Sequence, residues 1–336
     1  NAKTKLKVLT IPDGGTDLKH YMDSIGYKEL PAVNDKLIDL LVGGIVEMNK
    51  KHVLHADLKD SNIMMNSERA TIIDWGLSTS YTAAQIPDRI KNRSIYYNLP
   101  FSGIIFNTLF DEMYLHFLHT VSDKTPTQQT TRVFVGQYVE AWFNYRGDGH
   151  YSLIKRLVGC LFVDSLISID TEEVAMDLIV DYIVPVLMKY TKKHKFNKLK
   201  YFMDVYRHII DIWGFMTVYL SVLEMLSHKY TQLNEYELAL FKSLKHVILK
   251  YTYEPRVVTP NINELVADLK ELTPHFIKCA HHTSHIDFRQ SSISSFSSDL
   301  TDQYKKTDKP PLTKQQTRKL VKKMISKTRK SNAHLR

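Results

Sequence analysis

The amino-acid sequence predicts a mainly helical α+β chain with one small β-hairpin. Apolar residues recur at helical spacing through most of the chain beyond Tyr81. Two short β-like runs, Ile63-Met64-Met65 and Thr71-Ile72-Ile73, flank the polar turn Asn66-Ser67-Glu68-Arg69. With 43% hydrophobic and 24% charged residues in 336, most of the chain has the apolar surface to bury a sizeable core.

Taken in order, Leu6 to Ile11 reads as a strand, ended by the breaker cluster Pro12-Asp13-Gly14-Gly15. Asp17 to Ile25 reads as a short helix. A longer helix is expected from Asn34, a good N-cap, to about Lys51, because Leu37, Leu40, Leu41, Ile45 and Met48 form one stripe that passes Gly43 and Gly44. The hairpin follows. Further helices are expected at Val133 to Tyr145, Tyr151 to Leu161, Thr171 to Tyr190 with a kink at Pro185, Tyr201 to Ser227, and Glu235 to Tyr251. No internal repeat is present.

The chain carries a formal charge of +9, but residues 302–336 hold 12 Lys or Arg against 2 Asp or Glu, a local excess of +10 that leaves residues 1–301 at −1. The folded body therefore offers no compositional case for a nucleic-acid groove. The serine-rich Ser291 to Ser298 leads into this basic end, and its composition predicts disorder, with an amphipathic helix forming transiently over Leu312 to Lys330. By charge alone the tail would attract nucleic acid, an anionic membrane or an acidic partner; a solvated end is the plain alternative. Cys160 and Cys279 lie far apart, which suits inert thiols in a reducing cytoplasm. No uninterrupted apolar run reaches the roughly 18 residues of a membrane span.

The chemistry concentrates around the hairpin. Phosphoryl transfer from ATP needs a group for the acceptor hydroxyl's proton, a cation for phosphate charge and hard oxygens for Mg²⁺. In His55-Ala56-Asp57-Leu58-Lys59-Asp60-Ser61-Asn62 and Asp74-Trp75-Gly76, Asp57 is placed to take the proton and Lys59 to meet the γ-phosphate, with Asn62 and Asp74 as metal ligands. Taken singly, each residue has a bland reading as a cap, turn or surface residue. The set does not, because its internal spacings are fixed and a hairpin joins its two parts.

This pattern resembles the H-R-D-L-K-x-x-N catalytic loop and D-F-G metal motif of eukaryotic-type Ser/Thr protein kinases. The resemblance implies ATP as co-substrate, Mg²⁺ or Mn²⁺ as metal, and protein substrates. Thr10 to Leu18 is similar to the haspin-like hinge E-F-G-G-I-D-L, which implies Ile11 as gatekeeper, the Pro12 carbonyl and Gly14 amide at adenine, and Asp17 near the ribose. Asp211-Ile212-Trp213-Gly214 resembles the D-x-W-S/G element of the central kinase helix, so Asp211, with His55, would support the catalytic loop. Asn98-Leu99-Pro100-Phe101-Ser102 resembles the substrate-binding segment in kinases of large DNA viruses, which would put the chain in a host cytoplasm or a virion.

The resemblance implies a kinase-like C-terminal lobe divided into residues 1–18, the last upper-lobe strand and hinge; 19–102, the catalytic part; 103–200, a helical insertion; 201–284, the rest of the lobe; and 285–336, the basic tail. From Asp74 to Asp211 is 137 positions, longer than an ordinary kinase allows. The insertion is apolar enough for a packed subdomain with Trp142, Phe143 and Tyr145 in its core, and it would equally serve as a docking face. Ala56 replaces an Arg that in many kinases contacts a phosphorylated activation loop, which implies activity independent of that contact. Trp75 replaces Phe.

No Gly-rich loop or ATP-binding lysine precedes Leu6, so the chain reads as a piece of a longer protein. Two alternatives stand beside the kinase reading. A small-molecule phosphotransferase of the aminoglycoside or choline type shares H-x-D-x-x-x-x-N and often D-W, though usually not Lys59; a catalytically silent scaffold would display the insertion and tail. The Ser/Thr content of the tail makes it a candidate for autophosphorylation. Cys279-Ala280-His281-His282-Thr283-Ser284-His285 has no established zinc spacing and reads as incidental, and Gly147-Asp148-Gly149-His150 reads as a turn between helices.

Overall fold

The computed structural model describes residues 13–121, 126–165, 169–192, 194–254 and 257–283. The strand expected at 6–11, the residues Ile11 and Pro12, His285 and the basic tail lie outside them. The chain enters through a short strand, β1 (Thr16–Asp17), and a six-residue helix, α1 (Leu18–Asp23), which Asp17 caps by accepting from the His20 amide at 3.1 Å. Gly15, at φ +93°, is needed at the strand entry, because a Cβ there would lie 2.1 Å from the Met65 carbonyl oxygen.

A long helix, α2, follows, in which Leu30–Asp39 runs through a wide-wound stretch, Leu40–Val46, into Glu47–Lys50. The widened turn contains the Gly43-Gly44 pair, residues that hold a helix weakly. The helix starts four residues earlier than expected, with Pro31 in its first turn, where no amide hydrogen is required. Asn34 is therefore not a cap. It is buried inside the helix, donates to the Leu269 carbonyl at 2.8 Å and to Thr273 Oγ1 at 3.1 Å, and accepts from the Tyr219 hydroxyl at 2.8 Å.

After α2 come β2 (Val53–Leu54), β3 (Ile63–Met65), β4 (Ala70–Ile72) and β5 (Thr79–Ser80). The expected hairpin is β3–β4, with Ile63 opposite Ile72, and β1 adds antiparallel to its other edge, Thr16 opposite Met65. A second pairing, β2 with β5, closes the base of the intervening loops.

The rest is helical: α3 (Thr108–Thr120), α4 (Gln128–Arg146), α5 (Tyr151–Leu161), α6 (Thr171–Tyr190), α7 (Lys198–His228), α8 (Glu235–Ile248) and α9 (Ile262–His282). Helices α3 and α9 are additions to the sequence reading. The first is crowded with aromatic residues that also suit strands, and the second contains Pro274 in its interior. Helix α7 is the one helix among the described residues long and apolar enough to cross a membrane, but 94% of its apolar window is buried within the fold, so it is a core helix.

A single apolar core runs through these elements. Phe101, Tyr182 of α6, Trp213 of α7 and Tyr253 gather with ring centroids 5.2 to 5.9 Å apart. Contacts of this kind contribute about 0.5–1.5 kcal/mol per pair beyond area burial. They also join residues 103–200 to the remainder of the chain. Trp142 is fully buried, while Phe143 and Tyr145 pack half-buried on the same core.

Candidate active site

Helix α7 holds the 55–62 loop by its backbone. Asp211 is fully buried, and its Oδ2 accepts from the His55 amide at 3.0 Å and from Asn49 Nδ2 at 2.8 Å, while Oδ1 accepts from the Ala56 amide at 2.8 Å. Burial raises the Asp211 carboxyl pKa, and the three N–H donors oppose the shift because each favours the carboxylate. One turn on, Gly214 lets the helix touch the loop: a Cβ there would lie 2.6 Å from the Leu58 carbonyl oxygen. Ala56 sits at φ +60°, a conformation costly for a residue with a side chain, and Arg93 Nη1 donates to its carbonyl at 2.5 Å.

With the backbone fixed, the loop's side chains converge. Asn98 Nδ2 donates to Asp57 Oδ1 at 2.9 Å and to the Leu58 carbonyl at 3.0 Å. Asn62 Nδ2 donates to the Asp57 carbonyl at 2.7 Å and to Asp57 Oδ2 at 3.2 Å. Lys59 Nζ stands 3.6 Å from the same Oδ2, and both side chains keep about a fifth of their surface, 21% for Lys59 and 19% for Asp57. Each carboxylate oxygen thus has a fixed partner and a remaining lone pair. Asp60 is turned inward instead; it accepts from the Ser61 amide at 2.7 Å, and burial raises its pKa.

The hairpin brings the two expected metal ligands to one end of the sheet. The Ile73 amide donates to the Asn62 carbonyl at 2.9 Å, and His55 Nε2 meets the Ile73 carbonyl at 2.9 Å, which leaves Asp74 as the next residue outward. Asp74 is exposed at φ +57°, its Oδ1 accepting from the Gly76 amide at 3.3 Å. The Asn62 amide nitrogen is turned to Asp57, so its oxygen is the atom left for a cation. Asp74 offers an exposed hard oxygen and Asn62, only 4% exposed, a second one from the buried loop; hard oxygens of this kind suit Mg²⁺, which keeps several waters and binds through few protein ligands. Among the described residues no cluster of three or more His, Cys, Asp or Glu side chains forms.

Of the expected hinge residues, Gly14 lies against Met64, and a Cβ there would make ordinary contact at 3.5 Å. The Asp17 carboxylate is already engaged, with Oδ1 capping α1 and Oδ2 at 2.6 Å from His20 Nδ1. A groove of about 420 Å³ between α2 and β4, lined by Gly43, Gly44, Ile72 and Trp75, opens behind the 74–76 turn; the 55–62 loop does not line it. Cys279 faces the core with its thiol pushed up by burial to about 12, and His282 stacks on Tyr236.

Two contributors to the loop are not singled out as such by the sequence. Asn49, at the end of α2, is a third donor to Asp211, and nothing in its spacing signals this. Asn98 belongs to a recognisable segment, but its bond to Asp57 joins positions 41 residues apart and depends on tertiary folding. No family model, curated protein or solved structure matches this chain.

Proposed function

We propose that this chain carries the catalytic lobe of an ATP- and Mg²⁺-dependent serine/threonine protein kinase. The observation that supports it is one carboxylate, Asp57, gripped by Asn62 and Asn98 with Lys59 at 3.6 Å, on a loop tied by its backbone to a core helix. In this reading the acceptor hydroxyl lies against the free lone pair of Asp57. As its oxygen bonds to the γ-phosphorus, the proton passes to Asp57, and the bond to the bridging oxygen breaks with ADP keeping the electron pair. Lys59 offsets charge on the transferred group. Mg²⁺ held by the Asn62 and Asp74 oxygens would neutralise the phosphates. Asn62 and Asn98 keep the carboxylate in one orientation, so little reorganisation remains for the reaction.

The test uses the full gene product containing this chain, with casein as acceptor. Asp57→Asn is expected to lower kcat by about 10²–10⁴-fold, the usual worth of general-base catalysis, and Asp74→Ala to abolish Mg²⁺-dependent transfer. Transfer that survives either change sinks the proposal. The Asp74-Trp75 pair favours a second reading, a small-molecule phosphotransferase; phosphate transfer to choline or an aminoglycoside but not to casein would replace the first. A full gene product that shows no thermal shift with Mg-ATP would instead be a silent scaffold.

A further inference from the structure

The segment that carries Asn98 is held largely by residues from the 103–200 stretch. Trp142 of α4, fully buried, donates its indole N–H to the Arg93 carbonyl at 3.2 Å. The α4–α5 turn then makes a two-sided contact with the next residues: the His150 amide donates to the Ile95 carbonyl at 2.8 Å, and the Tyr97 amide points at His150 Nδ1 at 3.4 Å. The His150 ring packs edge-on to Tyr96, centroids 4.9 Å apart, and tilted against Tyr97 at 5.3 Å. This approach is close enough to require Gly149, at φ +52°, where a Cβ would lie 2.2 Å from the Ile95 carbonyl oxygen.

On its other side the segment meets the site. Trp213 of α7 donates to the Tyr97 carbonyl at 2.8 Å, and the next residue is Asn98, whose amide reaches Asp57 and Leu58. Residues 93–97 are thus a short span of backbone fixed between α7 and the inserted helices, and Asn98 is the end of that span.

We infer that the inserted helices hold the acceptor side of the phosphotransfer site in place, with His150 and Trp142 as positioning residues that act through the 93–97 backbone on Asn98 and Asp57. This rests on the kinase reading above for what the site does, but not for how the segment is held. Asn98 bonds to Asp57, the group the acceptor hydroxyl must approach, so the effect falls on the acceptor and not on ATP.

The experiment compares His150→Ala, His150→Asn and Trp142→Phe in the full gene product. His150→Ala removes the Nδ1 acceptor and the ring, His150→Asn keeps an acceptor near the Tyr97 amide, and Trp142→Phe keeps an aromatic ring but loses the donor. In His150→Ala and Trp142→Phe, amide hydrogen exchange across 93–98 is expected to quicken by about fivefold or more, the worth of one buried hydrogen bond, without a matching rise in the core of α7. The KM for casein should rise by a similar factor while the KM for ATP stays fixed, and His150→Asn should recover most of both changes.

Unchanged exchange across 93–98 in both variants overturns the inference, as does a casein KM that moves in step with the ATP KM. If His150→Ala does not fold, Trp142→Phe, which removes a single N–H donor, decides the matter. Absence of phosphate transfer in the unmodified protein would sink the kinase reading and this inference's claim on the acceptor, while the exchange measurement would still decide whether the inserted helices hold the segment.

Discussion

In the 55–62 loop, His55 is fully buried, two successive amides bond to a fully buried carboxylate, and Gly214 brings α7 against Leu58. In the 74–77 turn, four successive residues are exposed, with Trp75 at 47% and Leu77 at 41%. Its ties are lighter: a 3.3 Å bond from the Gly76 amide to Asp74, Arg89 donating to the Gly76 carbonyl at 2.7 Å, and the Trp75 ring edge-on to His55. The difference follows the chemistry proposed for each. A base must be aimed before the acceptor arrives, so its loop is built into the core. Of the two proposed cation ligands, Asn62 is buried with the loop, and Asp74 lies on a surface turn that leaves room for water and phosphate oxygens.

The largest effect is expected where the loop meets the core. Asp211→Ala strips the His55 and Ala56 amides of their acceptor and leaves Asn49 only the Val53 carbonyl, and at about 1–3 kcal/mol per orphaned group it should cost about 2 kcal/mol or more in urea unfolding. A loss below about 1 kcal/mol would mean that water replaces the carboxylate and that the loop is less embedded than its contacts imply. Gly214→Ala is next. Its methyl would press into the Leu58 backbone, and a loss of about 1–3 kcal/mol is expected from overpacking, together with weaker activity because Leu58 adjoins Asp57.

A pH titration extends the comparison to the turn at His150, which belongs with the buried loop. Burial and then the charge of Lys59 lower its pKa from 6.5 to about 3. The folded state holds it neutral, so its contribution is complete above pH 6.5 and is lost as pH falls toward 3, by about 1.4 kcal/mol per pH unit. His150→Asn should therefore flatten the acid limb of the stability profile by one proton; an unaltered slope would place that ring in contact with water.

The smallest effect is expected in the exposed turn and has the opposite sign. Asp74 sits at φ +57° and its side chain bonds within its own turn, so Asp74→Gly should raise stability by about 0.5–1 kcal/mol while removing Mg²⁺-dependent transfer. A fall in melting temperature would show the turn to be tied to the core more firmly than its exposure suggests.

Periodicity and spacing were enough to identify the β3–β4 hairpin, the helical character of the chain beyond Tyr81 and the helix bounds at Tyr151–Leu161 and Thr171–Tyr190, because these depend on neighbours a few residues apart. They also put Asp57, Lys59 and Asn62 on one loop and Asp74 one residue beyond the strand pair that starts from it, where the Ile73 amide donates to the Asn62 carbonyl. They misplaced Asn34, whose cap-forming side chain is satisfied by Leu269, Thr273 and Tyr219.

The motif around Asp211 already pointed to the loop, but only tertiary structure decided which atoms met and which other partners the loop found. Asp211 meets His55 and Ala56 across 156 and 155 residues, Asn98 meets Asp57 across 41, and His150 meets Tyr97 across 53. A local pattern states what a residue type can donate or accept. Only the closing of the core brings one distant carboxylate, amide or ring to it and excludes the water that would otherwise have satisfied the same group.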